Sequence, residues 1–238
     1  LSFKTQKLKN LAMKRINIFN QVHKGLRVAL YETATSLQQA DFTSETESDE
    51  ALAQVKEVIM LFNEQARKED QFILPVLFQF EPSVVDASKQ EHIISVALSG
   101  NLNAAINRFE GLLKAADRVT AGKRINIDFV EFMVFNLQHM SKEEDVLNKL
   151  LWRYYSDAEI QQIQQQIAES TEPWHQDFFA KWMLRGLNVA EAAAWLHSVE
   201  RTAPEVVYRT LFRKASQELS KSRFRKLAEY LTETAVLN

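Results

Sequence analysis

The sequence predicts an all-α protein, an up-down four-helix bundle over residues 13–155 followed by a smaller helical region over residues 156–238. Three observations lead there. Glycine and proline are scarce, five and four residues in 238, so little punctuates the chain. Long stretches repeat their apolar residues at spacings of three and four. A two-helix unit also recurs: His23-Lys-Gly-Leu-Arg-Val-Ala-Leu is echoed by His92-Ile-Ile-Ser-Val-Ala-Leu, and Gln65-x-x-x-Glu69-Asp70 by His139-x-x-x-Glu143-Glu144. Two antiparallel pairs of this kind make a four-helix bundle.

The first helix is expected from about Met13 to Ala40, with the stripe Ile16, Phe19, His23, Leu26, Leu30 and Leu37. An acidic linker, Asp41 to Asp49, leads to Ser48 as N-cap of the second helix. That helix runs to Phe80 on Leu52, Val55, Ile59, Phe62, Gln65, Glu69, Phe72, Ile73 and Val76; Pro75 should kink it and free the carbonyl of Gln71. Ser83 with Asp86 reads as a capping box for the third helix, which carries His92 among small Ser95 and Ser99. Gly122 is expected to close the hairpin, with Gly122 to Asp128 returning as extended chain. Asp128 with Glu131 would cap the fourth helix, which ends near Tyr155 and lines up Phe132, Phe135, His139, Glu143, Val146, Leu147, Leu150 and Tyr154. Beyond it, Ser156 with Glu159, Thr171 before Pro173, Asn188 with Glu191, Thr202 before Pro204, and Ser220 start four or five shorter helices, and Gly186 stops one. Trp174, Phe178, Phe179, Trp182, Trp195 and Leu196 should pack that region on itself or on the bundle.

The totals exclude several classes. No cysteine means no disulfide, thiol catalysis or cysteine-held cluster, and it suits a cytoplasmic protein. A net charge of -2 exerts no general pull on nucleic acid or acidic membrane, and no apolar run reaches membrane-spanning length. Leu1 to Asn10 is basic and amphipathic without the apolar centre of a secretion signal. The basic residues Arg209, Arg213, Lys214, Lys221, Arg223, Arg225 and Lys226 read as a solvated helix face, and His175 and His197 as ordinary histidines.

What remains is a constellation. His23, Glu69, His92, His139 and Glu143 sit in four apolar stripes at similar depths. Residues four apart on a helix share a face, so Glu69 falls one turn from Gln65 and Glu143 one turn from His139. A buried carboxylate must be protonated, paired or bound to a cation. Imidazole and carboxylate at the centre of a helix bundle suit iron, manganese or zinc, and two carboxylates can bridge two ions.

These residues also resemble the hemerythrin-like (HHE cation-binding) domain, whose order is His, His-x-x-x-Glu, His, His-x-x-x-Glu. The match is carried by His23, Glu69, His92, His139 and Glu143. It is also carried by the surroundings Ile18-Phe19-Asn20-Gln21-Val22-His23-Lys24-Gly25-Leu26-Arg27 and Ala66-Arg67-Lys68-Glu69-Asp70-Gln71-Phe72-Ile73-Leu74-Pro75. It covers about Arg15 to Tyr155 and implies a non-haem diiron centre bridged by Glu69 and Glu143. The family's roles are binding oxygen, sensing oxygen, nitric oxide or iron, and handling oxidative stress. One position departs: Gln65 stands where the family has histidine, a weak ligand or a holder of water, and Glu64 points about 100° away on the helix. The expected function is therefore a metal-binding sensor or stress protein, with a protein partner or a homodimer formed through the C-terminal helices. A diiron oxidase or peroxidase and a metal-free interaction module are the alternatives; no catalytic residue is assigned and an enzyme is the less favoured reading.

Overall fold

A computed structural model describes residues 15–235, and these are helical with short connections. The expected basic N-terminal segment and the start of the first helix at Met13 lie outside the described residues. The first helix, α1 (Asn20–Gln39), starts later than its apolar pattern. Residues Arg15 to Phe19 are held otherwise: the Arg15 guanidinium donates to Asp157 at 2.7 Å and to the Tyr155 carbonyl at 2.6 Å, and the Asn17 side chain accepts from the amides of Phe19 and Asn20.

Helix α2 (Glu45–Lys68) is capped by Ser44 rather than Ser48, which is buried inside its first turns. It continues through a π-helical turn, Glu69–Ile73, into the short α3 (Leu74–Phe78). Helix α4 (Pro82–Glu110) begins with proline in its first turn and no side-chain cap, so the Ser83 capping box does not form. Helix α5 (Ala115–Lys142) runs straight through Gly122 and Asp128; the hairpin turns at 111–114, and no chain returns extended. That removes the mismatch of depth between His92 and His139, because α4 is shorter and α5 longer than the glycine suggested. A β-carbon on Gly122 would collide with the ring of Phe42, so this glycine serves packing and not a turn. Asp128 sits inside the helix, paired with Arg124 at 2.7 Å. A second π turn, Glu143–Leu147, leads into α6 (Asn148–Tyr154).

Both π turns shift the buried face by one residue. After Glu143 the buried positions are Leu147 and Leu151, while Val146 is 42% exposed. After Glu69 they are Ile73, Leu74 and Leu77, with Val76 only partly covered. A regular helix would have buried Val146 and Val76.

The long helices α1, α2, α4 and α5 each pack on two of the others: α1 on α2 and α5, α4 on α2 and α5. Their inner faces form the main apolar core, which includes Leu30, Val55, Phe62, Ile106, Phe129 and Phe132. A second core closes one end, built from Phe19, Leu74, Leu77, Val85, Leu147 and Leu151 with Ile160 and Ile163 of α7 (Asp157–Ser170). The remaining helices are α8 (Pro173–Gly186), α9 (Val189–Thr202), α10 (Glu205–Glu218) and α11 (Lys221–Ala235). Capping boxes at Ser156 with Glu159 and at Asn188 with Glu191 start α7 and α9 as expected. Helix α8 lies along α1, and its Trp182 is buried in the main core with its indole donating to Glu57 at 2.5 Å. Contact at that crossing is backbone to backbone: a β-carbon on Gly25 would lie 2.8 Å from the Met183 amide, and one on Gly186 would overlap the Lys24 carbonyl. Helices α9 to α11 close a third core around Leu196, Ala215 and Leu227. Among the described residues no helix is long and apolar enough to cross a membrane.

Candidate metal centre

The polar residues of the four stripes form one layer between the two apolar cores. His23 lies between Phe19 of the end core and Leu26 of the main core. Glu69 lies between Phe62 and Ile73, and Glu143 between Met140 and Leu147. His23, Glu69, His92, His139 and Glu143 are all buried, none more than 6% exposed, and they meet there. Each carboxylate opens its π turn, where an extra residue in the helix re-aims the side chains that follow. The second π turn forms with Lys149 where the first has Pro75, so proline is not its cause.

The two glutamates face both sides of the layer. Glu143 has one oxygen 3.2 Å from His139 Nε2 and the other 3.3 Å from His23 Nε2. Glu69 has one oxygen 3.2 Å from His92 Nε2 and the other 4.0 Å from His23 Nε2. Ligands bound to one cation at ~2.1 Å stand roughly 3.0–3.4 Å apart, so these spacings match a shared ion. Glu69, His92, His139 and Glu143 each offer an atom within 4.8 Å of the others. His23, with the remaining carboxylate oxygens, makes a second half. Nε2 of His23, Nε2 of His92 and Oε1 of Glu143 are buried without a hydrogen-bond partner, although opposite charges stand close by. Buried polar atoms in that state are rare, and here three of them belong to one cluster of facing imidazoles and carboxylates.

Behind each imidazole stands a carboxylate. Nδ1 of His23 donates to Glu144 at 2.9 Å, Nδ1 of His92 to Asp70 at 2.8 Å, and Nδ1 of His139 to Glu91 at 2.7 Å. Such a bond fixes the ring and the tautomer and leaves Nε2 free for a metal. The supports cross between the repeats: Asp70, beside Glu69, holds the histidine of the second unit, and Glu144, beside Glu143, holds that of the first. Arg27 neutralises Glu144 at 2.8 Å, and Lys142 neutralises Glu91.

Five carboxylates thus face two fixed cations and three histidines. Burial works to lower the histidine pKa values, but the surrounding carboxylates outweigh it. His23 is raised to about 10 by Glu143, Glu144 and Glu69, and His92 to about 11 by Glu143, Glu69 and Asp70. His139 is raised too. Burial pushes the Glu143 carboxyl up, yet the three imidazoles hold it well below the usual range, and Glu144 falls to about 2 against burial through His23 and Arg27. Without a cation, protons on the imidazoles supply the positive charge that the layer demands.

Gln65 breaks the symmetry. Its amide donates to Glu69 Oε1 at 2.5 Å, the act of a residue that positions a carboxylate. It is also half-buried where the other members are buried. The repeat explains what else changed. Glu91, which supports His139, directly precedes His92; the residue preceding His23 is Val22, an apolar side chain packed on the main core. The histidine and its supporting carboxylate are therefore both missing from this half. Lys68, the counterpart of Lys142, has turned to Ser170 at the end of α7, donating to its carbonyl at 2.6 Å.

Of the remaining sequence candidates, Glu64 points away from the layer and pairs with Arg67 at 2.7 Å. His175 lies 3.7 Å from Glu64, and His197 bonds Glu200. The basic residues of α10 and α11 are scattered over separate partners: Arg209 on Glu205, Lys214 on Asp177, and Arg223 on the carbonyls of Arg185 and Leu187. The supports Asp70, Glu91 and Glu144 were not singled out from sequence, although the doubled acids Glu69-Asp70 and Glu143-Glu144 were visible in the repeat. Compared with known proteins, the chain matches no family model, no curated protein and no solved structure.

Proposed function

We propose that the four long helices form an up-down bundle of the hemerythrin-like kind and that its polar layer binds non-haem iron, in a dinuclear site with unequal halves. The observation that supports this most is the convergence of three imidazole Nε2 atoms on two carboxylates, each imidazole held from behind by its own acid. The donor set contains imidazole and carboxylate and no thiolate, which suits iron, with manganese or zinc as competitors. His92, His139, Glu69 and Glu143 would hold the first ion, and His23 with the other oxygens of Glu69 and Glu143 the second. Bound iron supplies a redox-active centre with room for a small ligand such as oxygen or nitric oxide. The protein's part is to hold the imidazoles oriented with Nε2 turned to the two glutamates, to exclude water with two apolar cores, and to leave the Gln65 side as the accessible one.

A binding or sensing role in oxygen, nitric oxide, iron or oxidative-stress responses fits this layer better than an oxidase or peroxidase. Two open surface hollows of about 540 and 390 Å³ have no cluster residue in their walls, so neither presents an organic substrate to it. Elemental analysis of protein purified without chelator or affinity metal tests the reading, alongside His139→Ala. Iron at one to two equivalents per chain, reduced in the variant, is the expected result. No metal, and no uptake on anaerobic reconstitution with ferrous iron, would leave a polar network serving an interaction module. Turnover of peroxide by the iron-loaded protein would move the reading to an enzyme.

A further inference from the structure

Helix α8 covers the outer side of α1 and reaches α2, while α4 and α5 pack chiefly on each other and on α1, α2 and α3, so their outer side lies away from α8. That side is apolar along the middle of α4, whereas α5 exposes Lys123, Arg124 and Glu131 among its apolar residues. From Ile93 to Asn107 the sequence has no charged residue over more than four helical turns, although about half of that stretch faces solvent. Ile93 is 60% exposed and Ile94 47%. A β-carbon on Gly100 would meet nothing within 4 Å, so the middle of the face is open as well as small. Beside it on α5, Ile127 is 60% exposed and Val134 46%. With the exposed Ala97, Asn101 and Ala104 the face amounts to roughly 500–650 Å² per chain, at the upper end of what a monomer leaves contiguous and at the lower end of what a specific interface buries per partner. An exposed apolar stripe of this kind on a helix marks an interaction site.

We infer that this face joins two copies of the chain, with α4 packed antiparallel on α4 of the second copy about a two-fold axis at Ala97. Three features select a second copy. A two-fold interface must be complementary to itself, and the middle of α4, uncharged from Ile93 to Asn107, satisfies that around the axis without opposing like charges. An axis at Ala97 places Ile94 of each copy at the level of Gly100 of the other, a projecting side chain over a gap where backbones can approach. The same axis places Arg108 of each copy at the level of Asp86 of the other. Both residues lie eleven positions from Ala97, three helical turns or about 16 Å, and so on the same face. Neither forms an ion pair within the chain among the described residues. The interface uses α4, on the flank away from the C-terminal helices where a homodimer was expected.

Sedimentation equilibrium of the full chain over micromolar concentrations tests this. The expected species has twice the 27.5 kDa mass of the chain. Ala97→Glu, an exposed change that sets two carboxylates together at the axis, should weaken association at least tenfold while the circular dichroism spectrum and melting midpoint hold. Arg108→Asp should weaken it severalfold by facing Asp86, and Asp86→Arg combined with Arg108→Asp should restore it to within about twofold. A monomer at every concentration overturns the proposal. So does a dimer indifferent to Ala97→Glu, or an Arg108→Asp defect that the exchanged pair fails to repair.

Discussion

The two halves of the polar layer differ at two positions, and restoring both should equalise them. In the half with His139, the ring's Nδ1 donates to Glu91 at 2.7 Å; in the other half, Gln65 stands in place of the histidine and Val22 in place of its acid. Gln65→His alone supplies a fourth imidazole whose second nitrogen has no carboxylate to fix it. Gln65→His with Val22→Glu supplies both. Loss of such a supporting acid commonly costs about 10–100-fold in metal affinity, or roughly 1.4–2.7 kcal/mol. The double variant should therefore bind its second ion 10–100-fold more tightly than Gln65→His, and the wild-type chain should hold its second ion most weakly. Competition with a chelator of known affinity, followed by elemental analysis of the desalted protein, gives both constants. Val22→Glu alone should lower the melting temperature, because it buries part of a carboxylate without a partner. Equal affinity in the single and double variants, or two equally tight ions in the wild type, would refute the pairing of Val22 with Gln65.

Three further outcomes follow from the same geometry. In the metal-free protein His23 and His92 bind protons more tightly than in the unfolded chain, so their contribution to stability is complete below about pH 6.5 and is lost as pH rises toward 10 and 11. Glu144 acts in the other direction, its contribution present above its ordinary 4.5 and lost as pH falls toward 2. The metal-free melting temperature should thus be highest between about pH 4.5 and 6.5; a rise from pH 6.5 to 9 would contradict these signs. Metal uptake at pH 7 must displace the Nε2 protons, so a weakly buffered titration with an indicator should record at least two protons released per chain from His23 and His92, and no release would contradict it. Gly186→Ala would force α8 away from the α1 backbone and should destabilise the protein by about 1–3 kcal/mol in urea unfolding; an unchanged midpoint would contradict the close backbone crossing.

The residues of the polar layer were legible because a four-residue spacing inside an apolar stripe is a strong local signal. His139 with Glu143 needs only helical periodicity to be seen as a pair. Their supports were not legible for a physical reason. Asp70 is nearly half exposed and Glu91 and Glu144 partly so, and acidic residues on a helix flank look like a solvated face until the neighbouring helix is in place. The turns failed where a local rule met a tertiary contact. Gly122 suggested a break, but the ring of Phe42 occupies the space of its missing side chain. Asp128 with Glu131 matched a cap pattern inside a helix whose ends are decided elsewhere. The faces of α3 and α6 were misassigned by one residue because periodicity assumes a regular helix, and each π turn advances the register by one.

Those two turns carry a consequence for insertions and deletions. Removing one residue from the middle of a helix ordinarily rotates everything beyond it by about 100° and turns its buried side to water. Here a deletion of Asp145 or Val146 would let the segment relax to regular α-helix while Leu147 and Leu151 kept their places in the end core. Glu143 and Glu144 would lose the wide turn that aims one at the layer and the other at His23. Such a shortened chain should melt close to the parent in its metal-free form and retain far less metal; unfolding on deletion would show that the wide turn is needed for folding itself. The extra residue is then separable from the architecture. Each repeat thus carries one residue that the apolar cores do not require, a place where the fold and the proposed ion binding can be altered separately by one codon.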